Sequence, residues 1–204
     1  MLFFGHIGNT SGLVRLYQKA ITARKPAGET DTVLRTDATG EADPPSSNIQ
    51  RAIGFIDYRM VLIGSLLPDI IDKPLWWLLG KTRLDWAGRG YAHTFLFNFI
   101  LFIGGLVLAF RRKKNWLLII ASCSFLHLVF DQIWLMPTTL WWPFAGAIKP
   151  EETAGWFSGM WEGLLSNPYI YISETLGFLI TLYFGLRLLM RRRILHFLKT
   201  GDIA

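Results

Sequence analysis

The sequence predicts an all-α membrane protein: a polytopic helical bundle of about four spanning helices plus an N-terminal helix that is amphipathic or partly inserted. Three observations lead there. Hydrophobic residues make up 51% of the chain and aromatic residues 15%, with nine tryptophans, a heavier load of large apolar groups than one soluble core calls for. These residues fall in long blocks and not at the period of an amphipathic surface helix. Runs of Arg and Lys close two of the blocks, as topology signals do at a membrane surface.

The opening residues 1–22 are apolar at 1–4 but are soon interrupted by His6, Asn9 and Thr10. No basic stretch precedes the apolar one, so the segment reads as an inserted or surface helix and not as a cleaved signal. Residues 23–50 lack aromatic side chains, mix charges of both signs and contain Asp43-Pro44-Pro45-Ser46-Ser47. Their apolar surface is too small to offset the entropy of ordering, which predicts a flexible polar loop. A short apolar block, 53–67, carries Asp57 and Arg59 and is expected to stop at Pro68, within the outer bilayer or a protein-lined recess. The block at 95–110 has Asn98 as its one strongly polar residue and runs into Arg111-Arg112-Lys113-Lys114. The next, 116–136, is broken by Ser122, Ser124, His127, Asp131 and Gln132. A loop at 137–168 rich in tryptophan (Trp141, Trp142, Trp156, Trp161) then leads to the last block, 169–190, which contains Glu174 and Arg187. The last three blocks approach the ~20 residues that a helix needs to cross ~30 Å of hydrocarbon.

The net charge of +6 sits mostly in the basic runs beside apolar blocks. That placement serves topology, and nucleic acid is excluded as a partner. The single cysteine, Cys123, forms no internal disulfide and reads as a packing residue. The positive-inside rule puts 111–114 and 191–193 in the cytoplasm. The N-terminus is then outside, the C-terminus inside, and the Trp-rich loop outside. Lys73, Lys81, Arg83 and Arg89 pull against this orientation. The expected location is the cytoplasmic membrane of a bacterium or archaeon, with the lipid bilayer as partner.

This topology brings His6, Asp69, Asp72, His93, His127 and Asp131 to one depth near the outer face. His127 and Asp131 lie four apart, on one helix face. Asp69 and Asp72 follow Pro68, where both carboxylates can enter a common cavity. Ionisable groups at membrane depth are costly and usually face a partner or a polar cavity. Three imidazoles and three carboxylates suit one or two divalent ions, Zn²⁺ first and Mn²⁺ or Fe²⁺ next. Singly, each has an ordinary alternative: a helix–helix hydrogen bond for a histidine, a cap for Asp69 or Asp72, an ion pair with Arg89 for Asp131. Asn9 and Thr10 either orient the His6 ring or form a plain polar face. Glu174 is either a further ligand or a helix contact. His196 follows the inner basic run and lies outside the site.

The stretches 64–72 (Gly-Ser-Leu-Leu-Pro-Asp-Ile-Ile-Asp) and 89–94 (Arg-Gly-Tyr-Ala-His-Thr), together with His127-x-x-x-Asp131 followed by Pro137-Thr138 and Trp142-Pro143, resemble a known set. It is that of the membrane-bound, metal-dependent hydrolase family that includes the LexA-regulated inner-membrane hydrolases. The likeness runs from residue 6 to 143 apart from the polar insert. It departs from the pattern at Gly88, where the family has a histidine, and at Asp72, one residue further from Pro68 than in the family. The resemblance implies a helical relative of zinc-dependent phospholipase C, hence a phosphoester hydrolase. On that reading His6, Asp69, Asp72, His93, His127 and Asp131 hold metal, Asp72 bridges or acts as base, and Arg89 clamps phosphate. A site at bilayer depth beneath a tryptophan-rich loop favours a lipid or lipid-linked substrate. A metal or proton transporter would instead need polar residues through the full membrane depth. A non-catalytic scaffold with a structural metal is the third reading.

Overall fold

In the computed structural model of the chain, the described residues are 3–23, 56–80, 89–148 and 156–203, and every regular element among them is a helix. The predicted loop thus falls, from residue 24 on, outside the described residues. Helix α1 spans Phe3–Ala23. Helix α2, Tyr58–Leu75, starts where the Asp57 side chain accepts from the Arg59 amide at 2.9 Å. The sequence expectation ended this element at Pro68. The helix instead runs through Pro68 and Pro74 and passes into a π-helical turn at Trp76–Gly80. Membrane helices tolerate interior prolines because neighbouring groups satisfy the freed backbone.

A 3₁₀ turn, Tyr91–His93, leads to Thr94, whose hydroxyl accepts from the Phe97 amide at 3.1 Å and caps helix α3, Phe95–Arg112. Helix α4, Trp116–Phe130, is shorter than its apolar block. Gln132 takes a left-handed conformation (φ 52°), and the chain turns into a 3₁₀ segment, Ile133–Leu135, and a one-turn helix α5, Pro137–Leu140. Helix α6, Trp156–Ser166, and helix α7, Pro168–Met190, follow, and α8, Ile194–Thr200, ends the bundle.

Two helices, α3 with 18 residues and α7 with 23, are long and apolar enough to cross a bilayer. This is fewer than the four expected. Helix α4 is apolar, but its 15 residues reach about 22 Å, short of the ~30 Å core. Helix α2 is long enough but carries charge at both ends.

Packing follows a simple order: α7 lies on α1, α1 touches α2 and α4, and α4 sits between α2 and α3. Helices α1 and α7 run in the same direction. Phe4 meets Phe178 edge-on at 5.3 Å, Gly8 lies against the Gly177 backbone, and Gly12 faces Ile180. A Cβ on either Gly8 or Gly177 would collide with the other helix's backbone, so glycine is what permits this crossing, as in membrane helix pairs. Gly64 does the same for α2 on α4, where a Cβ would stand 2.6 Å from the Ile120 carbonyl oxygen.

The two ends of the bundle differ. One holds an apolar cluster of Tyr58, Val61, Cys123 and Ile203, with Phe184, Leu188 and Phe197 against it. The other buries His6, Thr10, Ser65, Asp72, His93, Asn98 and His127 almost completely. The outward faces of α3 and α7 meanwhile expose Phe99, Ile100, Val107, Phe110, Ile172, Leu179, Leu186 and Met190. A polar interior with an apolar exterior reverses the soluble pattern and fits hydrocarbon as the solvent.

Candidate metal centre

The polar end is assembled from three helices and a 3₁₀ turn. Helix α1 supplies His6 near its start, α2 supplies Asp69 and Asp72 near its end, the 3₁₀ turn supplies His93, and α4 supplies His127, with Asp131 as its C-terminal cap. Two groups of donor atoms close enough to share an ion result: Asp69, His93 and His127, and His6, His127 and Asp131. His93 Nε2 and His127 Nε2 are 3.3 Å apart. Asp69 Oδ1 lies 3.7 Å from the first and 3.9 Å from the second. Asp131 Oδ2 lies 3.8 and 3.9 Å from the same two nitrogens. Ligands at about 2.0–2.1 Å around a tetrahedral ion stand about 3.3–3.4 Å apart, so these separations are slightly open relative to a closed tetrahedral shell.

The other ring nitrogens decide which atoms carry protons. His127 Nδ1 is 2.7 Å from the Ser65 carbonyl oxygen. A carbonyl only accepts, so Nδ1 holds the proton and Nε2 keeps its lone pair. Pro68 lacks the amide that would bond the carbonyl four residues back, and the next carbonyl, that of Ser65, meets the imidazole. His93 Nδ1 is 2.7 Å from Asp72 Oδ2, a fully buried carboxylate. Both histidines therefore direct Nε2 lone pairs inward. Two acceptor lone pairs at 3.3 Å with two carboxylate oxygens beside them repel unless a cation stands among them. His6 tells the same story: its Nε2 is 3.2 Å from Asp131 Oδ1, yet neither ring nitrogen makes a hydrogen bond, although the residue is fully buried. Its ring stacks on His127 at 3.8 Å and 15°. The donor set fits a divalent ion, with His6, Asp69, His93, His127 and Asp131 as its holders.

Asp72 stands apart from those donors. Its oxygens accept from the amides of Gly90 (2.8 Å), Ala92 (3.0 Å) and His93 (3.2 Å) as well as from the His93 ring. It ties the 90–93 turn to α2 and orients His93, the arrangement by which an outer carboxylate fixes a ligating imidazole. Asp72→Asn is expected to weaken metal binding about 10–100-fold while leaving about the same number of ions at saturation. Titration against a chelator of known affinity measures this, and an unchanged affinity would remove Asp72 from the site.

Arg89 Nε donates to Asp131 Oδ2 at 2.8 Å, and Lys73 Nζ to Asp69 Oδ2 at 2.6 Å. Each anionic donor thus has one oxygen toward the centre or its rim and a cation alongside. The sequence reading took Lys73 only as an outer-loop charge and missed its pairing with Asp69, although the i+4 spacing was visible. A further network holds the His93 turn: Ser124 donates to Asn98 Oδ1 at 2.7 Å, and Asn98 Nδ2 to the Ala92 and Thr94 carbonyls at 3.0 Å. Asn98 was legible as the lone polar interruption of its block, but its partners were not. Glu174 is buried on α7 beside Ser173, which accepts from Asn9 Nδ2. Neither donor group includes Glu174. His196 lies on α8, far along the chain's opposite end from α7's start.

Over this end lie aromatic side chains. Trp142 meets Tyr91 at 5.0 Å and Trp141 meets Phe95 at 5.4 Å, which seats the 141–142 segment on the turn that carries His93. Trp134, Trp141, Phe144 and Trp161 are exposed. Residues 149–155 of the Trp-rich loop and the Trp156 side chain lie outside the described residues.

An apolar outer surface around a buried, one-ended cluster of histidine and aspartate defines a helical membrane protein with an internal polar centre. The chain belongs to the YdjM inner membrane protein family, whose sequence model matches residues 1–194. No curated protein and no solved structure matches it.

Proposed function

We propose that this inner-membrane protein is a metal-dependent hydrolase that cleaves a phosphoester of a lipid or lipid-linked substrate near the outer membrane face. The observation that supports it most is the pair of inward Nε2 lone pairs, 3.3 Å apart, with carboxylate oxygens of Asp69 and Asp131 3.7–3.9 Å from them. A divalent ion held by these groups, Zn²⁺ before Mn²⁺ or Fe²⁺, supplies Lewis acidity and a bound water of lowered pKa. The chain's own groups do the rest. Ser65 and Asp72 hold the two imidazoles in their ligating tautomer. Arg89, 31% exposed at the rim, is assigned to the substrate's phosphoryl oxygens, which suit a guanidinium fork. Asp72 enters as an orienting carboxylate and not as the base, since its oxygens are taken up by the amides of Gly90, Ala92 and His93 and by the His93 ring.

The reading includes four membrane-crossing or membrane-inserted helices, α2, α3, α4 and α7, with α1 inserted beside them, the N-terminus outside and the C-terminus cytoplasmic. The exposed tryptophans then lie at the outer interface, where the ring prefers to sit, and the substrate arrives from the bilayer. A metal or proton transporter is less well supported, because the halves of α3 and α7 far from the centre are almost wholly apolar in sequence, as at 99–110.

The test is turnover by detergent-purified protein on phosphatidic acid and on a polyprenyl diphosphate, before and after chelation. Phosphate release that stops on chelation and returns with Zn²⁺ or Mn²⁺ is expected. Stoichiometric metal with no release from either class would make the centre a structural one and the protein a scaffold.

A further inference from the structure

A second feature lies at the other end of the α1–α7 pair. Past the Gly8–Gly177 crossing the two helices flank a groove of about 450 Å³. Gly12, Leu13, Leu16, Leu179, Ile180, Tyr183 and Phe184 form its walls, and Arg15 and Lys19 stand along one side. Gly12 keeps the groove open by presenting no side chain. Arg15 and Lys19 are four apart and so share a face of α1. They lie about 6–12 Å from that helix's end, within reach of a membrane surface for side chains that extend their charge along apolar stems.

We propose that this groove binds an anionic phospholipid, with an acyl chain against Leu13, Leu16, Leu179 and Ile180 and the headgroup phosphate at Arg15 and Lys19. Charge complementarity selects this occupant. A second copy packed on the same face by a two-fold axis would bring Arg15 and Lys19 against their own copies, and a zwitterionic lipid such as phosphatidylcholine would bring its own headgroup cation up against both. The site is distinct from the metal centre, which lies at the helices' other ends. A lipid here is not the substrate but a wedge that sets how far apart α1 and α7 stand, and α1 carries His6. The inference rests on membrane insertion alone and stands or falls apart from the hydrolase reading.

Native mass spectrometry of the full chain released from detergent tests it, with dioleoylphosphatidylglycerol or dioleoylphosphatidylcholine added. One phosphatidylglycerol should be retained in preference to phosphatidylcholine, about fivefold for each cation involved. Lys19→Gln should reduce that preference about fivefold, and Arg15→Gln with Lys19→Gln should abolish it. Leu16→Trp, which fills the groove and spares both charges, should weaken retention of either lipid. Should the double variant fail to fold, Lys19→Gln and Leu16→Trp suffice. Equal retention of the two lipids by the unaltered protein, or an unchanged preference in Lys19→Gln, would overturn the proposal. So would a lipid-free dimer that Leu16→Trp dissociates, since the groove would then belong to a second copy.

Discussion

His127→Ala is expected to strip the protein of its divalent ion, taking elemental analysis from about one ion per chain to near none. His127 belongs to both donor groups, so its loss opens each of them at once. Loss of an outer partner of a ligand costs about 10–100-fold in affinity, and loss of a shared ligand should exceed that. The residue is also fully buried in α4, so the variant leaves a cavity and costs stability on its own account. Cys123→Ala separates the two effects. Cys123 is buried one turn earlier on the same helix, in the apolar cluster, so this variant should lose stability and keep its metal. If His127→Ala retains a full complement of metal, the ion sits elsewhere. If neither the unaltered protein nor the variant binds a transition metal after reconstitution, the histidines are helix-packing residues and the hydrolase reading is lost.

Gly177→Leu should have the largest effect on folding. The position faces the Phe4 and Gly5 backbone, and main chain cannot rotate aside as a side chain can. Overpacking at a flexible site costs about 1–3 kcal/mol, and here the upper end is expected, a fall in melting temperature of about 6–12 °C. Helix α1 would be pushed off α7, and His6 would leave the centre with it, so metal affinity should drop although Gly177 holds no ligand. Gly185→Ala, on the same helix with nothing within 4 Å of the added Cβ, should be neutral or slightly stabilising. Similar melting temperatures for the two variants would show that the α1–α7 crossing is not tight in solution.

The sequence made the helical class legible through its apolar blocks, and the shared depth of the six polar residues through the order of those blocks. The His127–Asp131 spacing was readable because a helix has a fixed period. What escaped depends on contacts between distant segments. Asp72 reads as a ligand until the amides of Gly90, Ala92 and His93 are seen to occupy it, 18–21 residues away. Ser65 acts through its backbone carbonyl, which its side chain does not advertise. Pro68 looked like a stop because proline ends most helices, yet α2 continues past it. The third block was read five or more residues too long, since apolar content does not reveal the left-handed turn at Gln132. Single glycines such as Gly8 and Gly177 carry no local pattern that marks a crossing.

The pairing of α1 with α7 also bears on how the protein is made. Asn9 and Ser173, which hydrogen-bond across that pair, are 164 residues apart. The ribosome delivers α1 first among the described helices, and its main partner α7 emerges only after α2, α3 and α4 have been made. His6 is therefore made well before its stacking partner His127 and before the helix that packs on α1. A nascent chain arrested before residue 168 carries every donor residue of the centre but lacks the helix that packs on α1, so His6 is expected to be the least fixed of them. Long-range closure of this kind is slow relative to local helix formation.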